Sequence, residues 1–235
     1  MTRIIITDLT RFGNRDILCT AGIDTDTGRC IRPMPYLRSD RCKELNMLPG
    51  AILSGEFSDP AAVDAPHIED MNYQNLTFDG HCSSEEFQHV LSSSADRSIE
   101  EGFGVQLEER QKHIPPELSP ERSLITIKVE PRGVRIVQDQ YNPAKVKAHI
   151  RDATGREYSF LSITDLGLHS YAENHFREAG DYLDVNSLIR SQDEVYVRIG
   201  LSRFHKAPNG RAGFWIQVNG IYSFPNYFET ARRYE

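Results

Sequence analysis

The chain has 235 residues, with 27 Lys and Arg against 34 Asp and Glu, a formal charge of −7 and a pI near 5.6. Its 39% apolar and 26% charged content is ordinary globular usage and excludes wholesale disorder. The longest apolar runs, such as residues 4–6, are strand-sized and far short of the ~18 residues that a membrane span needs.

The opening stretch MTRIIITDLTRF is interrupted by Asp8 and Arg11 and leads into no small-residue cleavage site, so it reads as a first strand rather than a signal peptide. Four cysteines, Cys19, Cys30, Cys42 and Cys82, fit reduced thiols and a soluble, cytoplasmic protein. RIIITDL, RDILCTAGID and RCIRPMP are rich in Ile, Leu and Thr and read as strands. DTDTGR between the second and third places Gly28 where a hairpin needs a positive φ. LPGAILSGEF is a further strand entered through a Pro-Gly turn.

From about Ser58 to Pro120 acids dominate and apolar residues thin out. CSSEEFQHVLSSSADRSIEEGFG reads as one or two short helices, with Ser83 or Ser84 as N-cap and Glu85 and Glu86 in the first turn. HIPPELSPERS carries Pro115, Pro116 and Pro120 and reads as an irregular linker or crossover. The expected division is an N-terminal domain over 1–120 with an acidic helical insertion, and a C-terminal domain over 121–235.

The second half is a run of strand candidates, from SLITIKVEP to GFWIQVNGIYSF, punctuated by PRG, DATGR and APNGR. Alternation in KVKAHI and VYVRIG implies one wet and one buried face. A helix spans roughly Leu166 to Ala179 behind Asp165 as N-cap, and VNSLIR is a second short helical turn. DTGR, ATGR and PNGR each join two strands, and their shared feature is the turn geometry that Gly allows. Each half thus holds five to six short strands and a helix, which suits a small OB-type barrel. The expected fold class is mainly β with short inserted helices, as two OB-like barrels in tandem.

The ordered segments ILCTAGIDTDTGRCIRPM, PHIEDM, EYSFLSITD and VYVRIGLSRF…GFWIQVNGIYSFPNYF together resemble the prokaryotic family of dual OB-containing domain proteins, over nearly the whole chain. That resemblance implies two tandem OB-like barrels and recognition of nucleic acid or nucleotides, by analogy with other OB folds.

On the residues themselves, the stretch between Glu194 and Glu229 has no acid. It carries Arg198, Arg203, His205, Lys206 and Arg211 among Phe204, Phe214, Trp215, Tyr222, Phe224, Tyr227 and Phe228. Basic side chains neutralise phosphates and exposed aromatic faces stack bases, so Arg198, Arg203, His205, Lys206, Arg211 and Trp215, assisted by Arg32, are the expected contacts to single-stranded nucleic acid or a nucleotide. The opposing reading is a plain amphipathic hairpin. Phe214, Ile216 and Val218 share the inward face by period two, which leaves Trp215, Gln217 and Asn219 on the other. A second basic cluster, Arg29, Arg32, Arg38, Arg41 and Lys43 around Tyr36, extends the track only if both segments share one side of the molecule.

Cys30, Cys42, Cys82, His67, His81 and His89 form no C-x-x-C or H-x-x-x-H pair, so no metal and no cofactor is expected. PHIEDM is the one catalytic candidate. On a strand His67 and Glu69 would face one side, with Asp70 beside them, as an oriented general base, and this carries the rival reading of a hydrolase acting on nucleotides or nucleic acid. A third reading is a scaffold whose acidic segment, residues 79–121, meets a protein partner.

Overall fold

The computed structural model describes residues 1–142, 145–208 and 210–226, so Tyr227 and Phe228 lie outside the described residues. The first half folds as β1 (Thr2–Arg11), β2 (Ile17–Asp24), β3 (Cys30–Met34), the two-residue β4 (Leu37–Arg38), α1 (Ser39–Glu44), β5 (Ala51–Ser58) and β6 (Asp70–His81). Hydrogen bonding runs β1-β5-β6-β3-β2 and returns from β2 to β1, so five strands close into a barrel with no long free edge. β3 and β6 are parallel, and α1 sits between the third and fourth barrel strands, the connectivity of an OB barrel. Ile4, Ile6, Leu18 and Leu53 fill the interior.

β6 was concealed in the sequence. Of its twelve residues only Met71 and Leu76 are buried, and a register shift against β5 between Gln74 and Thr77 puts those two out of phase, so no period-two signal survives.

The remainder comprises α2 (Ser84–Ser93), β7 (Ala95–Asp96), α3 (Ile99–Phe103), β8 (His113–Ile114), β9 (Leu124–Val129), β10 (Val134–Gln138), β11 (Val146–Arg151), β12 (Glu157–Ile163), α4 (Leu166–Ala179), α5 (Leu183–Arg190), β13 (Glu194–Leu201), β14 (His205–Lys206) and β15 (Ala212–Phe224). The second sheet runs β10-β11-β12-β15-β13-β9. β9 and β10 act as one strand broken by a 3-10 turn at Pro131–Gly133, where proline removes a ladder donor. With β9 and β10 taken together as the first strand, the order repeats that of the first barrel. β12 and β15 are the parallel pair, and α4 and α5 occupy the place of α1.

The chain between the barrels is built into the fold. β7 adds to β9, Ile99 and Phe103 of α3 enter the second core, and β8 pairs with β15. The proline-rich stretch read as an irregular linker or crossover is therefore partly strand: His113 and Ile114 lie opposite Trp215 and Phe214.

The local signals act as chemistry dictates. Ser83 and Glu86 form a capping box on α2, and the Asp165 carboxylate accepts from the Leu168 amide at 2.9 Å to start α4. Gly28, Gly155 and Gly210 of the three repeated turns all have positive φ, 71°, 87° and 85°, a region that side chains with a Cβ avoid. The first two join the second and third strands of their respective barrels.

The barrels pack back to back. Ile5, Ile23 and Ile52 of the first meet Tyr196, Tyr222 and Phe224 of the second, with Phe87 and Leu91 of α2 beside them. Tyr222 donates its hydroxyl to the Thr7 carbonyl at 2.6 Å. Full burial of such side chains stabilises by about 1.5–3 kcal/mol each, so the two barrels are fused through a shared apolar layer.

Candidate nucleic-acid interface

In the second barrel, β11 and β12 and the loop between β13 and β15 form the face on which OB folds hold oligonucleotides. A trough of about 480 Å³ lies there, lined by Lys112, Lys147, Phe160, His205, Trp215 and Gln217 among others. Ser202, His205 and Gln217 also line a second cleft of about 420 Å³, with Arg11, Phe12, Arg32, Tyr36 and Arg203. The two are therefore contiguous, and the second lies at the junction of the barrels. Both fall within the ~300–1,000 Å³ typical of ligand sites.

Trp215 stands on the outward face of β15, half-buried. Its indole stacks on the His113 ring at 5.2 Å and 27°, and His205 meets it edge-on at 5.4 Å. Its neighbours Phe214 and Ile216 point into the core, as alternation requires. No helix residue lines the trough beside it.

Lys112 lies over the Phe160 ring, 5.9 Å from its centroid, and donates to the Ser159 carbonyl at 3.4 Å. It makes no ion pair among the described residues. Burial lowers its pKa, and the positive charges of Lys147 and Arg211 add to the effect against Asp139. His113 is likewise lowered, by burial and then by Arg211. Lys147 is anchored by Ser162 Oγ at 2.8 Å and Asp139 at 3.5 Å. Phe160 has φ 57°, a strained conformation for an aromatic residue, which costs on the order of 1–3 kcal/mol and marks positions held by their surroundings.

The residues read from the sequence separate into two groups. His205 and Lys206 are exposed on β14 and Arg211 is exposed just before β15. Arg203 is one-third exposed, donating to Asp70 at 2.7 Å, to Tyr36 Oη at 2.9 Å and to Asp64 at 3.4 Å. His205 and Trp215 line the trough, and Arg203 lines the cleft that shares His205 with it.

Arg198 does not reach that surface. It is 1% exposed, with Nε and Nη2 on Asp8 Oδ2 at 2.9 and 2.8 Å, Nη1 on Thr126 at 2.9 Å and Nη2 near Cys30 Sγ at 3.4 Å. Burial alone lowers its pKa, but Asp8 and Cys30 outweigh that and hold it cationic. Arg32, 3% exposed, is similarly occupied by Asp70 at 2.5 Å and Ser123 Oγ at 3.2 Å. Both arginines clasp one barrel to the other.

The PHIEDM group is not an acid–base pair on a strand. His67 and Glu69 precede β6, in turns. The Glu69 carboxylate accepts from the amides of Ser123 and Leu124 at 2.8 and 2.9 Å and from Ser123 Oγ at 2.7 Å, which fixes the start of β9. His67 is 1% exposed, neither ring nitrogen meets a partner among the described residues, and its ring lies edge-on to Phe214 at 5.9 Å. Burial, then Arg203 and Arg32, push its pKa down to about 3 against the pull of Asp70.

All four cysteines are free thiols, and burial pushes Cys30 and Cys42 up to about 12. Among the described residues no three His, Cys, Asp or Glu side chains gather as a metal site, and no helix is long and apolar enough to cross a membrane. Sequence reading missed Lys112, Lys147, Phe160, Arg11 and Phe12. Lys147 was legible as an outward position of KVKAHI; Lys112 sat in the segment read as acidic; the strained backbone of Phe160 leaves no mark in sequence.

No curated protein and no solved structure matches the chain. The dual OB-containing domain model matches residues 3–221, and two barrels with one strand order agree with it. The chain belongs to the dual OB-containing domain family.

Proposed function

We propose that the trough on the second barrel binds single-stranded nucleic acid, with a base stacked on Trp215 and backbone phosphates passing Lys112, Lys147 and His205 toward Arg203. The observation that carries this reading is that Lys112, Lys147 and His205 line one trough with the half-buried Trp215 indole on the OB ligand face. Phosphate neutralisation with base stacking is the standard pairing for single strands. The acidic remainder of the chain confines the attraction to this face.

The reading is tested by titrating short labelled DNA and RNA strands at several salt concentrations. Affinity falls steeply with salt, and Trp215→Ala weakens it by about 1–3 kcal/mol while leaving the thermal midpoint within a few degrees. Absence of binding at low salt to every strand would sink the reading, and tighter binding of duplex would turn it toward another ligand.

A further inference from the structure

A third cavity, of about 270 Å³, lies at the far end of β11 and is lined by Arg132, Arg135, Arg151 and Arg190 with His149 and Glu157. We propose that it is a pocket for a phosphate monoester, and that its occupant is the terminal phosphate of a strand lying in the trough. The proposal rests on the reading of the trough given above.

Charge is the first argument. Four guanidinium groups face one carboxylate, a net of three positive charges with His149 neutral. Glu157 is engaged by Arg151 at 3.1 Å, whereas Arg132, Arg135 and Arg190 make no ion pair with any described residue. Arginine's planar fork suits the oxygens of a phosphate. A monoester brings up to two negative charges and three strong acceptors, so this pocket favours a strand end over an internal diester.

His149 supplies the second, independent argument. It is 9% exposed. Its Nδ1 is surrounded by Ser159 at 3.2 Å, Glu157 at 3.3 Å and Arg135 at 3.4 Å. Its Nε2, also buried, has no hydrogen-bond partner among the described residues. A buried polar atom without a partner is costly, and this one belongs to a side chain that lines an arginine-rich cavity.

Size and placement narrow the occupant. The cavity is below the range that holds a whole drug-sized molecule, so it takes a phosphate and leaves the sugar and base outside. The His149 ring lies 4.5 Å from Phe160, and Phe160 lines the trough, so the two sites adjoin. The register sets the arginines: Arg135 lies opposite His149 and Arg151 opposite Glu157. Gly133 allows the turn to close on β11, because a Cβ there would meet the Arg151 carbonyl oxygen at 2.9 Å.

The test compares strands of one sequence bearing a 5′-phosphate, a 3′-phosphate or hydroxyls at both ends, on the full chain and on R132Q/R190Q. These two arginines are exposed and take no part in the core. In parallel, a nucleoside monophosphate is titrated while the His149 ring resonances are followed by NMR. The expected result is binding about tenfold tighter or more for one phosphorylated end, lost in R132Q/R190Q, with binding of the hydroxyl-ended strand changed less than twofold. Equal affinity of all three strands overturns the phosphate pocket and leaves the trough standing, as does an end preference that survives R132Q/R190Q. If no strand binds, the reading of the trough fails. The pocket then stands only if the monophosphate shifts His149 in the wild type and not in the variant, which identifies a free nucleotide as the source; without that shift it falls too.

Discussion

Replacing Arg198 by Met tests the claim that this residue is a clasp between barrels and not a phosphate contact. The substitution keeps an unbranched apolar stem and removes the guanidinium and its charge. It leaves Asp8, at 0% exposure, with only Thr7 Oγ1 at 2.7 Å and Asn219 Nδ2 at 3.2 Å as partners among the described residues. Two bonds to Asp8, one to Thr126 and one to Cys30 disappear together. Breaking a buried ion pair from one side costs about 3–5 kcal/mol, because the remaining charge stays desolvated. For a chain of this size that lowers the thermal midpoint by roughly 6–20 °C. Adding Asp8→Asn removes the stranded charge, so D8N/R198M should recover more than about 1 kcal/mol relative to the sum of the single losses. Urea and thermal unfolding of the wild type, both single variants and the double variant measure this cycle. Below the melting transition, R198M should bind oligonucleotides with an unchanged salt slope. A loss under about 1 kcal/mol, or a salt slope reduced by one unit, would refute the clasp and return Arg198 to the ligand.

Lys112→Gln should reduce the slope of log affinity against log salt by about one unit without changing preference among sequences; an unchanged slope removes Lys112 from the phosphate path. Acid should destabilise the fold through its buried histidines. His67 and His169 are pushed down from 6.5 to about 3 and about 4, each by burial first and then by neighbouring arginines. Because the unfolded chain then binds more protons, their contribution is complete above pH 6.5 and is lost as pH falls toward those values, at ~1.4 kcal/mol per pH unit for each. Denaturant titrations at pH 7, 6 and 5 should therefore show His67→Leu with the shallower decline; parallel curves contradict the assignment.

How much of this was legible differs from element to element. The strands from Ile4 to Leu53 announced themselves through Ile, Leu and Thr content and Gly-containing turns, those of KVKAHI and VYVRIG through alternation, and Asp165 and Ser83 through cap chemistry, because these features act between near neighbours in the chain. β6 did not, since its bulges break the period on which such reading depends. Nor did β8, whose two residues take their strand conformation from pairing with Phe214 and Trp215.

The candidate site divides along the same line. Trp215 could be assigned to the outward face of its strand from period two alone, and it stands there. Arg198 also points away from its own barrel's interior, as VYVRIG implied, yet it is buried, because outward on β13 means toward the first barrel. Alternation thus determined which side of a strand each residue takes. Only the packing of one barrel on the other decided whether that side faces water or a carboxylate: Arg198 and Asp8 are 190 residues apart in the chain, and nothing in either local sequence encodes their meeting.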